Sequence, residues 1–582
     1  MRKKYLPYLL AAGIFVSAAY PCKISYADSV KAAAITPYEN VKVISDFDIT
    51  KFNETISENE QRFLELKNYD EAKKFIQSEI LILDDLSSSY SILQNKYFND
   101  NTDMTSYYQM SNLAQVLYEA EDSLSSCINK LAALDTYSKL KEDFKLPVTY
   151  TADFVNNQSF WINSYYECSN DIQKLSDIYI NLVSCRNAEA NAHNYAGYSE
   201  MLFKQVFNRE YTLKDIQNID SQLAALISLY SDRNISSYAT YNEDSILSAE
   251  ETLNKFENSL SVLPESVLSI FTEARTNKLF SLSDNTDGSI ISATSYLYKY
   301  HQPCTYIKYT KTKADFSNLI NEFGLYTALY YKENNHSYFG SNNTSNDMLL
   351  TIRNYIKLLY SQNNYKDTMS EILEELKNSY VINSLETYAY TEKDLTGEKL
   401  GQKFYEINKS LGVIYPEGQN VDMNWVYIED LYTSPFSMAD NISSCLRGLQ
   451  YYDVIKTSES GTAGKILNDF LTSSNGTTIS GLLKNNNLSS CFDSVYIEQL
   501  SEKYKLYIND IYTVKNTDIA GDANNDGVIT AADIVIIKKY ILCAVNKSSM
   551  ESRGYSLKNS DLNSDNKINI LDLQKLYRLL LK

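Results

Sequence analysis

Two stretches near the C-terminus carry one pattern: DANNDGVITAADIVIIKKYIL at 522–542 and DLNSDNKINILDLQKLYRLLL at 561–581. In each, oxygen-bearing side chains stand at positions 1, 3, 5 and 9 of a twelve-residue loop, a backbone carbonyl is available at position 7, and a carboxylate closes position 12. That is the donor set of an EF-hand calcium loop, because Ca²⁺ is a hard cation that gathers six to eight oxygens. The first copy offers Asp522, Asn524, Asp526, Val528, Thr530 and Asp533; the second offers Asp561, Asn563, Asp565, Lys567, Asn569 and Asp572. Position 6 must turn sharply, which Gly527 does freely and Asn566 does as one of the few other residues that enter the left-handed region. Two calcium ions are therefore expected. Each loop runs straight into an apolar, helix-compatible stretch, Ile534 to Leu542 and Leu573 to Leu581, without the leading helix of a complete EF-hand. A single such loop could be an Asp/Asn-rich turn capping an ordinary helix; two in-register copies argue against that.

Two loop-plus-helix halves in so short a segment resemble a type I dockerin, the module that plugs secreted enzymes into cohesins of a cellulosomal scaffoldin. The resemblance implies cohesin contacts at loop positions 10 and 11 and helix positions 17 and 18. Here those are Ala531, Ala532, Lys538 and Lys539 in the first copy, and Ile570, Leu571, Tyr577 and Arg578 in the second. The copies differ at all four positions, so their two faces need not be equivalent.

The N-terminus reads as a secretory leader: Arg2, Lys3 and Lys4, an apolar stretch from Tyr5 to about Ala19, then Ser25-Tyr26-Ala27 with cleavage expected before Asp28. The apolar stretch is short for a membrane span and no later segment reaches the required length. Ala19-Tyr20-Pro21 before Cys22 is a poor lipobox, so release is expected rather than lipid anchoring. The division expected is leader 1–27, body 28–515 and dockerin 520–582, in a secreted, cellulosome-associated protein. The formal charge is −19, and loss of Arg2, Lys3, Lys4 and Lys23 with the leader makes the mature chain more acidic still. Nucleic acid and anionic membranes are thereby excluded as partners, since phosphate binding needs clustered Lys and Arg. Cys127, Cys168, Cys185, Cys304, Cys445, Cys491 and Cys543 are scattered, odd in number and free of CxxC spacing, which is neither a disulfide framework nor a zinc ribbon, and any pairing among them is left open.

Only 17 Gly and 8 Pro interrupt 582 residues, so long elements are expected. Helical three- and four-residue apolar spacing runs from Glu58 to about Asp100, as in Phe63, Leu66, Tyr69, Ala72 and Phe75, and from Ser106 to about Lys141. It recurs over Asp171 to Ala196, Asp215 to Tyr230, Phe316 to Tyr331, Asn346 to Ser361 and Met438 to Ile455. Thr305 to Tyr309 alone reads as a strand. The fold class is thus mainly α, a large helical body with a minor β element plus the small C-terminal module. The join from Thr513 to Ala520 lacks Pro/Ser-rich linker character, which places the dockerin near the body.

Within the body, Leu319-Ile320-Asn321-Glu322-Phe323-Gly324-Leu325 follows the strand-like run into a helix. It resembles the zinc helix of the thimet oligopeptidase and oligoendopeptidase F family, whose His-Glu-Phe-Gly-His reads here as Asn-Glu-Phe-Gly-Leu. Three further segments agree in order: Arg186 to Ile219 with Gly197-Tyr198 and Asn208 to Thr212, Tyr306 to Asp315, and Trp425 to Tyr451 with Leu431 to Phe436. An HExxH helix binds zinc because its two His lie on one face and its Glu activates the water. Here Asn321 and Leu325 take both His positions, and the family's third ligand falls near Asp347. The downstream His appears as Asp430 and its Tyr positions as Ser437 and Asn441. Glu322 alone keeps the general-base position, and without a metal to lower the pKa of water it has little to activate. Zinc is not expected. His193, His301 and His336 are too dispersed to form another site, and no GxSxG elbow occurs.

The reading that follows is a secreted cellulosome component whose body is a catalytically dead, peptidase-like module able to bind a peptide or protein. The alternative is an active hydrolase in plant cell-wall breakdown, either polysaccharide-degrading or a peptidase with a rearranged site. A third is a spacer that only docks. Two Trp, Trp161 and Trp425, are few for a sugar-stacking cleft.

Overall fold

The structure, a computed structural model, describes residues 35–580 apart from 45, 101, 145–149, 169–170, 208, 232–246, 284–291, 311–313, 334–337, 339–344, 362–364, 474–476, 513–518, 525–528, 543–546, 548–549 and 551–554. The expected leader, Asn208, His336, most of the join at 513–520, Asp526, Gly527, Val528 and Cys543 lie outside the described residues.

Three helices build the N-terminal part: α1 (Ile49–Leu66), α2 (Tyr69–Asn99) and α3 (Met104–Ala132). Each starts at an Asp or Asn whose side chain accepts the N–H three residues on, Asp48 from Lys51 (3.0 Å), Asn68 from Glu71 (3.3 Å) and Asp103 from Ser106 (3.0 Å). Such caps satisfy donors that the first turn leaves orphaned. Phe63, Leu83, Leu117 and Ile128 close a core of their own here. The single periodic run expected over Glu58 to Asp100 is two helices, because Lys67 adopts φ 51° and Asn68 then caps the next one. The run from Ser106 to Lys141 likewise stops at Ala132 and continues as a 3₁₀ turn, Asp135–Tyr137, and a short helix, Leu140–Asp143. Hydrophobic period carried across both breaks because the adjoining helices bury toward the same core.

The larger core is built by α4 (Ala152–Glu167), α5 (Ile172–Ala192), α6 (Asp220–Ser231), α7 (Ala249–Ser259), α8 (Glu265–Thr276), α9 (Ala314–Lys332), α10 (Asn346–Tyr360), α11 (Tyr365–Thr391), α12 (Gly397–Ser410), α13 (Met438–Thr457), α14 (Thr462–Thr472) and α15 (Ser494–Tyr512). Among the described residues one sheet interrupts the helices, with strands β1 (Phe280–Ser283), β2 (Ser292–Leu297) and β3 (Gln302–Lys308). The order is β1-β3-β2, β1 parallel and β2 antiparallel to β3. The strand expected at Thr305 to Tyr309 is the central β3, buried on both faces; its Ser-rich neighbours carry weak strand signals. β2 is an edge strand whose residues Ser292 to Ser295 stay half-buried.

Helix α9 packs against β2, β3 and α10, and α10 in turn packs against α13. The α9–α10 crossing is tight at Gly324, where a Cβ would stand 3.0 Å from the Arg353 Cα. That approach explains the glycine in the Asn-Glu-Phe-Gly-Leu run by packing alone.

At the C-terminus, α16 (Ala531–Ile541) and α17 (Ile570–Leu580) pair over a separate core that includes Ala523, Ile537, Met550 and Leu576. Both helices begin three residues earlier than the apolar runs suggested, inside the loops. Thr530 and Asp533 form a capping box that starts the first, and Asn569 accepts from the Leu571 N–H (2.8 Å) at the start of the second.

Candidate functional site

Asn321, Glu322 and Leu325 lie on α9, where the sequence placed them. The Glu322 carboxylate accepts hydrogen bonds from Ser292 Oγ (2.7 Å) and Thr294 Oγ1, and Thr294 also meets Thr305 Oγ1 at 2.7 Å. Ser292 and Thr294 alternate on one face of β2, so a single carboxylate can reach both hydroxyls. Leu325 packs against the main core. Asp347, in the first turn of α10, is buried and directs its carboxylate to α13, where Ser443 Oγ and the Arg447 guanidinium donate to it. Arg447 also donates to Thr351 Oγ1 at 3.2 Å. Burial pushes the Asp347 carboxyl above its usual range, Arg447 and Ser443 pull it back, and Asp440 pushes it up again. Glu322 is thus partnered from the sheet and Asp347 from α13.

A second buried pair adjoins the first. Asp440 accepts from Arg209 Nε (2.7 Å) and from the Tyr211 hydroxyl (2.7 Å). Arg209 donates as well to the Phe436 carbonyl (2.9 Å), with its guanidinium carbon 4.0 Å from the Phe207 ring centroid and 4.3 Å from that of Phe203. Arg186, also buried, donates to Gln158 Oε1 (2.9 Å), the Tyr390 hydroxyl (3.0 Å) and the carbonyls of Leu431 (3.2 Å) and Tyr432. Both oxygens of buried Glu386 accept the Phe436 N–H at 3.0 Å. Phe436 needs that hold, because its φ of 59° is a conformation an aromatic residue adopts only under constraint. Burial lifts the Glu386 carboxyl to about 8 against the opposing pull of the Phe436 N–H and Arg186. The segment from Glu429 to Asp440 is therefore fixed at three buried polar points.

Of the downstream positions, Asp430 is half-buried, with its carboxyl raised by burial and then by Glu429. Ser437 and Asn441 stand at the start of α13, and Asn441 Nδ2 meets Met438 Sδ at 3.4 Å. Arg186 and Arg209 lie inside segments the sequence singles out, but their clamping role, like that of Glu386, is not evident from local spacing. One signal was available: Asp440, Ser443 and Arg447 recur at helical three- and four-residue steps on α13, a polar stripe inside an otherwise buried helix. His193 Nε2 pairs with Glu189 (3.1 Å) one turn back, and His301 caps a 3₁₀ turn at φ 49°. Among the described residues, no three His, Cys, Asp or Glu side chains converge as a metal group. Residues Cys127, Cys168, Cys185, Cys304, Cys445 and Cys491 are free thiols. Trp425 is buried in the core, and Trp161 packs partly against it.

In the C-terminal repeats the two position-12 carboxylates are held alike. Asp533 accepts from the N–H of Asn524 (3.0 Å) and Thr530 (2.7 Å); Asp572 accepts from Asn563 (3.1 Å) and Asn569 (2.8 Å). In the second loop Asp561 accepts from the N–H groups of Asp565 (3.1 Å) and Asn566 (2.7 Å), and Asp565 accepts from the Lys567 N–H (2.8 Å). Ser564 and Asn566 take the left-handed turn, at φ 60° and 66°. Loop N–H groups thus fix each carboxylate in place, which preorganises oxygens without neutralising them. A divalent cation supplies the missing positive charge, and Asp561, Asn563, Asp565, Lys567 (through its carbonyl), Asn569 and Asp572 fit that demand. Asp522, Asn524, Thr530 and Asp533 stand in the same register in the first loop.

A helical body with a small sheet laid over a helix pair, followed by two calcium-type loop-helix repeats, defines a peptidase-type scaffold joined to a docking module. Residues 520–581 are a dockerin type I domain, and such a domain implies calcium binding and a cohesin partner on a scaffoldin. About four fifths of the chain is similar in fold to solved peptidase structures. A protein described as oligoendopeptidase F matches with a TM-score of 0.65 at 13% identity, covering 82% of this chain and 100% of that one. PZ peptidase A, solved with an inhibitor, matches with a TM-score of 0.63 at 13% identity, covering 81% and 99%. An oligoendopeptidase F assignment from Bacillus anthracis str. Ames matches with a TM-score of 0.58 at 14% identity, covering 82% and 98%. At such identities the likeness establishes the fold. No curated protein matches in sequence. No described helix is long and apolar enough to cross a membrane.

Proposed function

We propose that this chain is a secreted cellulosome component, divided as leader 1–27, body 28–515 and dockerin 520–582, whose body binds extended peptide without zinc-dependent hydrolysis. The observation that carries the reading is the engagement of both carboxylates. Glu322 is tied to Ser292 and Thr294, Asp347 is paired with Arg447 and Ser443, and Asn321 and Leu325 offer no good zinc ligand between them. The residues present do not fit a tetrahedral zinc site of nitrogen and carboxylate donors, so no hydrolytic step is derived through one. Peptide binding does not require the metal. β2 is an edge strand with half-buried Ser292, Ala293, Thr294 and Ser295, and an unpaired strand edge takes an extended chain through main-chain hydrogen bonds. The polysaccharide-acting alternative gains no support from Trp425, which is buried in the core.

The test is elemental mass spectrometry on the full chain after dialysis against trace zinc, with calcium held constant, alongside binding and cleavage of an extended-peptide library. The reading expects zinc well below one equivalent and peptide capture without cleavage. One equivalent of body-bound zinc, or turnover that disappears on Glu322→Gln, refutes it.

A further inference from the structure

The core shared by α1, α2 and α3 is built from residues between Phe52 and Phe144. Among the described residues, one fully buried hydrophobic side chain in it comes from outside that range: Tyr338, from between α9 and α10. Its backbone N–H donates to the Asp84 carboxylate of α2, its ring meets Tyr298 edge-on at 5.6 Å, and its hydroxyl faces the Glu121 carboxyl of α3. Around this plug, α2 seats on the β2–β3 hairpin. Ser88 Oγ accepts the Lys299 N–H (3.0 Å), Asp85 pairs with the Lys299 ammonium, and Asn95 Nδ2 reaches Cys304 Sγ at 3.0 Å. Asp84, Ser88 and Asn95 fall within about 40° of one another around α2, so a single helix face carries the seam.

We infer that Tyr338 is a latch fastening the three N-terminal helices to the body, and that ionisation of Glu121 releases it as pH rises from acid to neutral. Burial lifts the Glu121 carboxyl from 4.5 to about 7, and the Tyr338 hydroxyl lowers it only in part. Beside Tyr338, the groups about it are Tyr90 and Asp84 of α2, Tyr298 of the hairpin, and Tyr118 and Asp122 of α3 itself. From α1, Asn53 and Glu60 meet α3 further along, at Ser123 and Lys130. Glu79, whose carboxyl burial also raises, is turned about 140° from Asp84 around α2. A raised carboxyl stabilises the closed arrangement while it keeps its proton; that stability is lost as pH climbs toward the folded value. Release frees α2 from the hairpin whose β2 edge is the peptide surface proposed above, yet the latch holds or fails independently of peptide binding.

The experiment labels the thiols of the full chain in millimolar calcium with a pyridyl disulfide, which reacts down to acid pH. Rates are resolved by peptide mapping and referred to an unstructured thiol peptide at each pH. Cys304 reports separation of α2 from the hairpin, buried Cys127 reports unfolding of the N-terminal helices, and buried Cys445 reports the body. From about pH 5 to 8, Cys304 is expected to label roughly 50- to 100-fold faster relative to the reference, while Cys127 and Cys445 keep their protection. Glu121→Gln is expected to hold that rise within about 3-fold, and Tyr338→Ala to speed Cys304 by about 10-fold or more at the acid end. An undiminished rise in Glu121→Gln overturns the inference, as does Cys127 opening in step with Cys304 in the parent, which makes the event unfolding of the helices. Where Tyr338→Ala itself exposes Cys127, the Glu121→Gln series decides. Failure to capture any peptide defeats the binding reading and leaves these outcomes unchanged.

Discussion

Asp347 and Arg447 offer the sharpest test of how the body's interior is held together. Their side chains are almost fully buried and in contact, with Ser443 and Thr351 completing the arrangement. Removing one partner of such a pair leaves an uncompensated buried charge and costs about 3–5 kcal/mol, while replacing both by apolar groups is close to neutral. Asp347→Leu strands the Arg447 guanidinium and takes the full loss. Arg447→Met leaves Asp347 with Ser443, and the carboxyl, already raised by burial, escapes part of its penalty by taking a proton. The double variant recovers most of either loss, giving a coupling at least as large as the Asp347→Leu loss, about 3–5 kcal/mol. At about 2.1 cal/mol/K per residue, a body of roughly 490 residues melting as one unit has an unfolding entropy near 1 kcal/mol/K, so each kcal/mol shifts Tm by about 1 °C.

Scanning calorimetry of the four proteins in calcium is the assay, with falls of about 3–5 °C expected for Asp347→Leu and a return to within about 2 °C for the double variant. The pH dependence supplies an independent check. A carboxyl whose folded pKa is raised contributes stability at low pH that is lost as pH rises toward the folded value, so Arg447→Met recovers Tm on acidification from pH 7 to 5 relative to the parent. Additive single effects, with coupling below about 0.5 kcal/mol, refute the account of Asp347 as a residue committed to α13.

Glu386 makes a second pH prediction: its carboxyl, lifted to about 8 by burial, keeps its proton in the fold after the unfolded chain has lost it, so stability falls between about pH 4.5 and 8. Glu386→Gln removes that fall and is expected to stabilise the fold relative to the parent by up to about 4 kcal/mol at pH 8, read as a Tm higher by up to about 4 °C, and not at pH 4; matched melting curves at the two pH values check it. Gly324→Ala places a methyl 3.0 Å from the Arg353 backbone and is expected to cost about 1–3 kcal/mol by overpacking, read as a lower denaturation midpoint for the body. EDTA is expected to abolish cohesin binding and the structure of 520–582 while leaving the body's melting transition in place; full-affinity binding in EDTA contradicts the calcium assignment.

The repeats were legible because a metal loop fixes donors at stated spacings, so Asp561, Asn563, Asp565 and Asp572 declare themselves along the chain. The helical body was legible as a class from its period, but not at its breaks. Nothing about Lys67 as a residue type announces φ 51°, and Asn68 reads as a cap only once the break is known. β1 and β2 stayed hidden because FSLS and SATSYL lack the β-branched and aromatic density of β3. The Arg186, Glu386 and Arg209 contacts join residues up to some 250 positions apart, as in Arg186 to Tyr432, and local spacing carries no information about such pairings.

On the reading proposed above, Asn321 and Leu325 stand at two vacant ligand positions, and that has a consequence for the carboxylates around them. A helix pair that presents carboxylates inside a fold has to balance their charge, and a bound dication is one solution. Where the imidazoles that would secure a dication are missing, each carboxylate needs another partner or a proton, because an unpaired buried charge costs several kcal/mol. Here every one of them has a partner: Glu322 has two hydroxyls of β2, Asp347 has Arg447, Asp440 has Arg209, and Glu386 combines the Phe436 N–H with a raised pKa. Putting imidazoles back at 321 and 325 would therefore not by itself recreate a zinc centre, since Asp347 would first have to leave Arg447. These pairings engage side chains of β2 and not its main chain, so the proposed binding of an extended chain at that edge would not depend on a metal.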